Sequence, residues 1–193
     1  DSKQLIATGK FKRVFGYTVA EESLELTHAF DLDSGAMGLG ISPDHSILAV
    51  AADMGNLHLY DIRAGFAHLS TVSRCCHGQY QHWCRCSFAP TLTEQHRQLL
   101  VIGSASDSKA KVMDVTDPAT PVLHMTLNST SPFMWIQYSK DGSLIATGHL
   151  DGSVALYDSV TGAELHRLVG AHKRGAMCFG FVGDGMGHMV SCG

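Results

Sequence analysis

Four cysteines and two histidines crowd one stretch of the chain, Cys75-Cys76-His77 followed by His82-Trp83-Cys84-Arg85-Cys86. Thiolate and imidazole are the ligands of tetrahedral zinc, so the segment carries enough donors for a structural metal site. Its spacing argues the other way. Such sites draw ligands from pairs two to four residues apart, whereas these donors are adjacent and then alternate along a strand. A metal here would rest on His77 with Cys75 or Cys76, making the Cys75–Cys86 segment metal- or redox-responsive; that is the alternative reading. The leading expectation is no metal, no cofactor and no catalytic residue. Neither a phosphate-binding Gly-rich loop with Lys nor a Gly-x-Ser-x-Gly or His-Glu-x-x-His motif is present. Asp151-Gly152 and Asp184-Gly185 read as turns rather than as acid–base pairs. Cys178 and Cys192 read as strand residues.

The elements that must position these residues repeat. A short apolar strand ending in a small residue recurs around Ala7, Ala49, Val101, Ala146 and Val190, in steps of 42, 52, 45 and 44 residues. Ahead of it lie Met37–Ile41, Cys84–Phe88, Met134–Tyr138 and Met177–Phe181, each apolar or cysteine at every second position, the mark of a strand with a buried face. Ser42-Pro43-Asp44 and Ser139-Lys140-Asp141-Gly142 supply turns. Behind the marker come Leu57–Asp61, Lys111–Asp114 and Val154–Asp158, and then Phe66–Leu69, Val122–Met125 and Glu164–Leu168. Each unit thus reads as four strands, a to d, in chain order. Aligned this way, Cys84 and Cys86 fall where other units place Met37 and Leu39 or Met134 and Ile136, which makes them core residues. The first unit, in which Phe15 is read as the third-strand aromatic, has a b–c turn that is either unusually tight or lacks residues. Ser73–Gln81 and Thr91–Arg97 read as surface loops.

The period and the aromatic-Asp or Met-Asp ending of strand c resemble the WD-repeat β-propeller family, with Tyr60, Met113 and Tyr157 in place of the signature tryptophan. The resemblance implies an all-β propeller over residues 1–193, in units of about 1–32, 33–72, 82–127, 133–169 and 175–193. About four blades are present, and because the chain enters and leaves at a strand b, the expectation is an incomplete part of a larger, seven-bladed ring. Blades of this family are braced by a His before strand a, a Ser or Thr in strand b, an Asp in the b–c turn and the Trp. Thr147 with Asp151, and His172 with Ser191, match that pattern in pieces. Within the family the order of segments is most similar to the WD-repeat subunit of the superkiller (Ski) complex that is shared with the Paf complex, through Phe88-Ala89-Pro90, the run Tyr138–Gly148, Leu150-Asp151-Gly152 and Thr161–His166.

That resemblance implies a non-catalytic scaffold that grips a peptide or a helical-repeat subunit, in RNA decay or transcription elongation. The expected partner-binding rim comprises His82, Trp83, Phe133, Trp135, Lys173 and Arg174 from the starts of strand a and the loops before them, with Asp53, His149 and Asp151 from the b–c turns. Binding energy concentrates in exposed aromatics and arginines. Charged residues make up 17% of the 193 and the formal net charge is -4, so no basic field exists for a nucleic acid. No apolar run approaches the length of a membrane helix. Six cysteines in no disulfide spacing read as free thiols of the cytoplasm or nucleus.

Overall fold

The computed structural model describes residues 4–10, 12–76, 84–182 and 188–193. The described residues are all-β, arranged as five antiparallel sheets of consecutive strands. The first sheet holds β1 (Gln4–Thr8), β2 (Arg13–Val19) and β3 (Leu24–Asp31). The second holds β4 (Ala36–Ile41), β5 (Ile47–Ala52), β6 (Leu57–Asp61) and β7 (Ala67–Val72), and the third β8 (Cys84–Phe88), β9 (Leu99–Ser104), β10 (Lys109–Asp114) and β11 (Val122–Asn128). β12 (Phe133–Tyr138), β13 (Leu144–His149), β14 (Val154–Asp158) and β15 (Glu164–Leu168) form the fourth, and β16 (Cys178–Val182) with β17 (His188–Cys192) the fifth. Among the described residues one 3-10 turn, Asp53–Gly55, is the only helical element, and no helix is long and apolar enough to cross a membrane.

Period-two alternation explains the packing. In β5, Leu48, Val50 and Ala52 meet Val14, Leu32 and Ala36, while Ala49 and Ala51 meet Cys84, Cys86 and Phe88 on the other side. In β9, Leu100 and Ile102 share the core with the second sheet, and Leu99 and Val101 share one with Phe133, Ile136 and Tyr138. Both faces of these strands are therefore buried, one against each neighbouring sheet. The first strands form the seam: β4 contacts β8, β8 contacts β12, and β12 contacts β16. The last strands, β3, β7, β11 and β15, lie mostly exposed.

Turn chemistry repeats as well. Ser42 and Ser139 donate to Asp44 and Asp141 at 2.6 and 2.5 Å, and their hydroxyls accept from the amides of Ile47 and Leu144 at 2.9 and 3.0 Å. The Asp closing each third strand caps the turn beyond it: Asp61 accepts from the amide of Ala64, Asp114 from Thr116 and Asp158 from Thr161. This is the physical role of the aromatic-Asp ending.

The register corrects the short first turn. Ile6 pairs with Gly16, ten residues on, as Ala49 pairs with Leu59 and Ala146 with Leu156. A bulge falls before Tyr17, as it does before Tyr60, Met113 and Tyr157. Tyr17, rather than Phe15, thus holds the aromatic position, and the first hairpin matches the second and fourth.

A single backbone hydrogen bond recurs in four sheets. The residue at the tip of the b–c turn accepts from an amide in the chain leaving strand d: Leu32 to Lys12 at 2.7 Å, Cys76 to Gly55 at 3.2 Å, Ser129 to Ser108 at 2.9 Å, and His172 to Gly152 at 3.1 Å. In the second and fourth sheets the acceptor is a glycine with φ of +78° and +81°, and an added Cβ would overlap the carbonyls of Cys76 and His172 respectively. Gly55→Ala and Gly152→Ala should each lower the unfolding free energy by at least about 2 kcal/mol in urea melts, whereas Gly180→Ala, with open space at its Cβ, should stay within about 0.5 kcal/mol of wild type.

Candidate functional site

The b–c turns and the starts of the first strands lie at the same end of their sheets, and the expected rim residues fall there in three different states. Lys173 and Arg174 are exposed on the loop before β16, which folds over the 149–153 turn: the Ala176 amide donates to the His149 carbonyl at 2.9 Å and His172 to Gly152. Asp151 is exposed on that turn, its carboxylate accepting from the amide and hydroxyl of Ser153 at 2.9 and 2.6 Å. Burial works against ionisation, but these bonds win and hold the carboxyl of Asp151 below its ordinary range. Asp151, Lys173 and Arg174 are thus brought together on one solvent-facing loop pair.

Phe133, His149 and Asp53 are corrections to the expected rim. Phe133 is 1% exposed, its ring 4.9 Å from that of His149 and within the core of the third and fourth sheets. His149 is fully buried, and Asp53 is 6% exposed on the second sheet, where its amide donates to the Gly35 carbonyl at 2.7 Å. The loop running to the next sheet covers strand ends that would otherwise be open. His82 and Trp83 lie outside the described residues.

His149 anchors a buried polar network. Its Nδ1 lies 3.1 Å from the Ser131 carbonyl, which can only accept, so Nδ1 carries the proton and Nε2 accepts from the Thr147 hydroxyl at 2.8 Å. Arg167 joins the periphery, donating to Ser129, Ser153 and Glu164 at 2.9, 2.8 and 2.6 Å, and Tyr157 donates to Glu164 at 3.0 Å. Burial first, and then the Arg167 charge, push the imidazole of His149 below its usual pKa. In the fifth sheet His172 Nε2 sits 2.9 Å from the Ser191 hydroxyl, the pairing that the family pattern implied.

Trp135 is half-buried on the seam of first strands. The Arg85 guanidinium lies 5.2 Å from its ring centre and donates to the Met37 carbonyl at 2.8 Å, while Phe179 meets Trp135 edge-on at 6.4 Å. One guanidinium thereby ties β4, β8 and β12 together. Arg85 was not singled out from the sequence, although its place at the outward parity of β8, opposite Cys84 and Cys86, is the signal that marks it. Met54, Leu150 and Met177, 53%, 48% and 37% exposed on the same turns and loop, also went unmarked.

The four cysteines of that segment are core residues. Cys75, Cys76, Cys84 and Cys86 are all buried in one apolar cluster with Leu57, Leu100 and Ile102. Burial pushes the thiols of Cys75 and Cys86 up to about 11 and about 12. The Cys76 and Cys84 sulfurs lie 3.7 Å apart; the bond between them raises Cys76 and lowers Cys84. Among the described residues no three of His, Cys, Asp and Glu gather as a metal site; His77 lies outside them.

The lowered pKa of His149 makes stability depend on pH. The unfolded chain takes up a proton near 6.5 while the folded chain resists it, so stability is full above that value and falls as pH drops toward the folded pKa. Urea melts should show a loss between pH 7 and pH 5, and His149→Gln, less stable throughout, should flatten that fall.

Comparison with protein-family models and with curated proteins returned no match, so function has to be read from the residues of this chain.

Proposed function

We propose that this protein is a non-catalytic interaction scaffold, its sheets acting as blades of a WD-repeat-type propeller and its b–c turn end presenting the partner-binding surface. The observation that carries the reading is repetition: three consecutive four-stranded meanders, sharing a seam of first strands and the same turn-to-loop hydrogen bond. Such repetition leaves the chemistry of the surface to loops while the sheets stay rigid. The docking residues are the exposed ones, Asp151, Lys173 and Arg174, with Met54, Leu150 and Met177 as apolar contacts beside them. Trp135 joins from the seam.

On the Ski-like or Paf-like reading the partner is a helical-repeat subunit, and the scaffold works in cytoplasmic RNA decay or nuclear transcription elongation. The mixed charge of the rim suits a protein partner rather than a polyanion. The second reading, a metal- or redox-responsive Cys75–Cys86 segment, is favoured only by the 3.7 Å approach of Cys76 to Cys84. Less than a tenth of an equivalent of zinc in purified protein, by plasma mass spectrometry, would end its metal form.

Affinity purification from the source cell tests the scaffold directly. A helicase recovered together with a helical-repeat protein would support the Ski-like assignment, and repeated recovery of an unrelated assembly would remove it. Charge reversal at Lys173→Glu with Arg174→Glu should reduce partner recovery at least tenfold with an unchanged melting temperature. Recovery that survives the double variant would move the docking surface elsewhere.

A further inference from the structure

The six cysteines divide into four buried thiols and a separate pair at the far end of the chain. Cys178 and Cys192 face each other across β16 and β17 as direct register partners, with their sulfurs 2.8 Å apart. Directly opposed residues of an antiparallel pair have Cα atoms about 4.5–5.5 Å apart, inside the range a disulfide spans. Cys192 is exposed and Cys178 half-exposed, and both border a shallow hollow of about 310 Å³ running along the ribbon beside Phe179, Phe181 and Val190. The geometry points to Cys178 and Cys192 as a reversible dithiol site, closed to a disulfide by exchange with a small disulfide such as oxidised glutathione.

Access and order of reaction come from the same positions. Cys192, the more open sulfur, reacts first as its thiolate, attacking one sulfur of glutathione disulfide; that S–S bond breaks, a mixed disulfide forms, and one glutathione thiolate departs. Cys178 releases its proton to water and attacks the Cys192 sulfur, displacing the second glutathione. Two protein thiols are oxidised, the glutathione disulfide is reduced, and the two protons end on the two glutathiones. The hydrogen bond between the sulfurs holds the Cys178 proton and raises its pKa, which suits it to the second, proximity-driven step. Cys76 and Cys84 are also close, but they are 1% and 4% exposed, so a tripeptide cannot reach them.

The test uses the reduced full chain incubated with glutathione disulfide, alkylated, digested and mapped by mass spectrometry without reduction. The expected product is a single cross-link between the Cys178 and Cys192 peptides, with Cys75, Cys76, Cys84 and Cys86 alkylated only after denaturation. Cys178→Ser should instead trap glutathione on Cys192. Phenylarsine oxide, which bridges paired thiols, should protect both from alkylation in the wild type and neither in Cys178→Ser or Cys192→Ser. Glutathione accumulating on Cys192 of the wild type without a cross-link would overturn the proposal, as would absence of modification or of arsenical protection in protein that is folded by circular dichroism.

Discussion

Burial of the second strands on both faces is the constraint on which the other features depend. Leu99, Leu100, Val101 and Ile102 are successive residues of β9, and none is more than 5% exposed. Consecutive residues of a strand point to opposite faces, so such a run is stable only between two other sheets. Each such side chain contributes about 1.5–3 kcal/mol on burial, against about 0.5–1.5 kcal/mol for one hydrogen bond. The apolar faces therefore hold neighbouring sheets together, and the recurring turn-to-loop bond sets where one sheet sits relative to the next. The glycines at two of those turns serve that placement, because only a residue without Cβ allows the carbonyl to come so near.

In the fourth sheet polar groups enter this packing and recruit one another. Tyr157 brings a hydroxyl into a site only 1% exposed, and an unpartnered buried hydroxyl is destabilising by about 1–3 kcal/mol. Glu164 accepts that proton, Arg167 neutralises Glu164, and Arg167 in turn reaches Ser129 and Ser153 around His149. Five residue types that look unrelated in the sequence are thus linked by one requirement, that each buried polar atom find a partner. The second sheet is braced by other groups: His58 Nδ1 shares a hydrogen bond with the Thr71 hydroxyl at 2.9 Å, while its Nε2 makes no hydrogen bond and lies 3.4 Å from an Asp33 carboxylate oxygen. Bracing differs from sheet to sheet while the apolar seam stays the same.

Strand positions were legible because alternation is a local signal, and Cys84–Phe88 begins and ends where its pattern does. Cys84 and Cys86 were legible as core through their alignment with Met37 and Leu39. Phe15 misled because aromatic identity was read without the bulge, and a bulge leaves no mark in composition. The rim failed at Phe133 and His149 for a longer-range reason: they stand at strand ends, where exposure is the natural expectation, but the loop to the following sheet folds over His149 and the third sheet covers Phe133. Arg85 escaped notice because its partners, the Met37 carbonyl and Trp135, lie about fifty residues away on either side in sequence. Contacts between sheets are what a single chain of residues conceals.

Burial, rather than spacing, also sorts the cysteines. A metal at Cys75–Cys86 would require thiolates, yet desolvation raises Cys75 and Cys86 to about 11 and about 12, which favours the neutral thiol. The Cys76–Cys84 hydrogen bond raises the Cys76 thiol as well. Cys84 and Cys86 fill the space that Met37, Leu39 and Ile136 fill in neighbouring sheets, and substituting larger side chains there would press on Leu57, Leu100 and Ile102. Small, polarisable and apolar when protonated, cysteine suits that gap. The thiols that sequence spacing makes most conspicuous are thus the least reactive, and the two separated by a whole hairpin are the ones that the fold brings face to face.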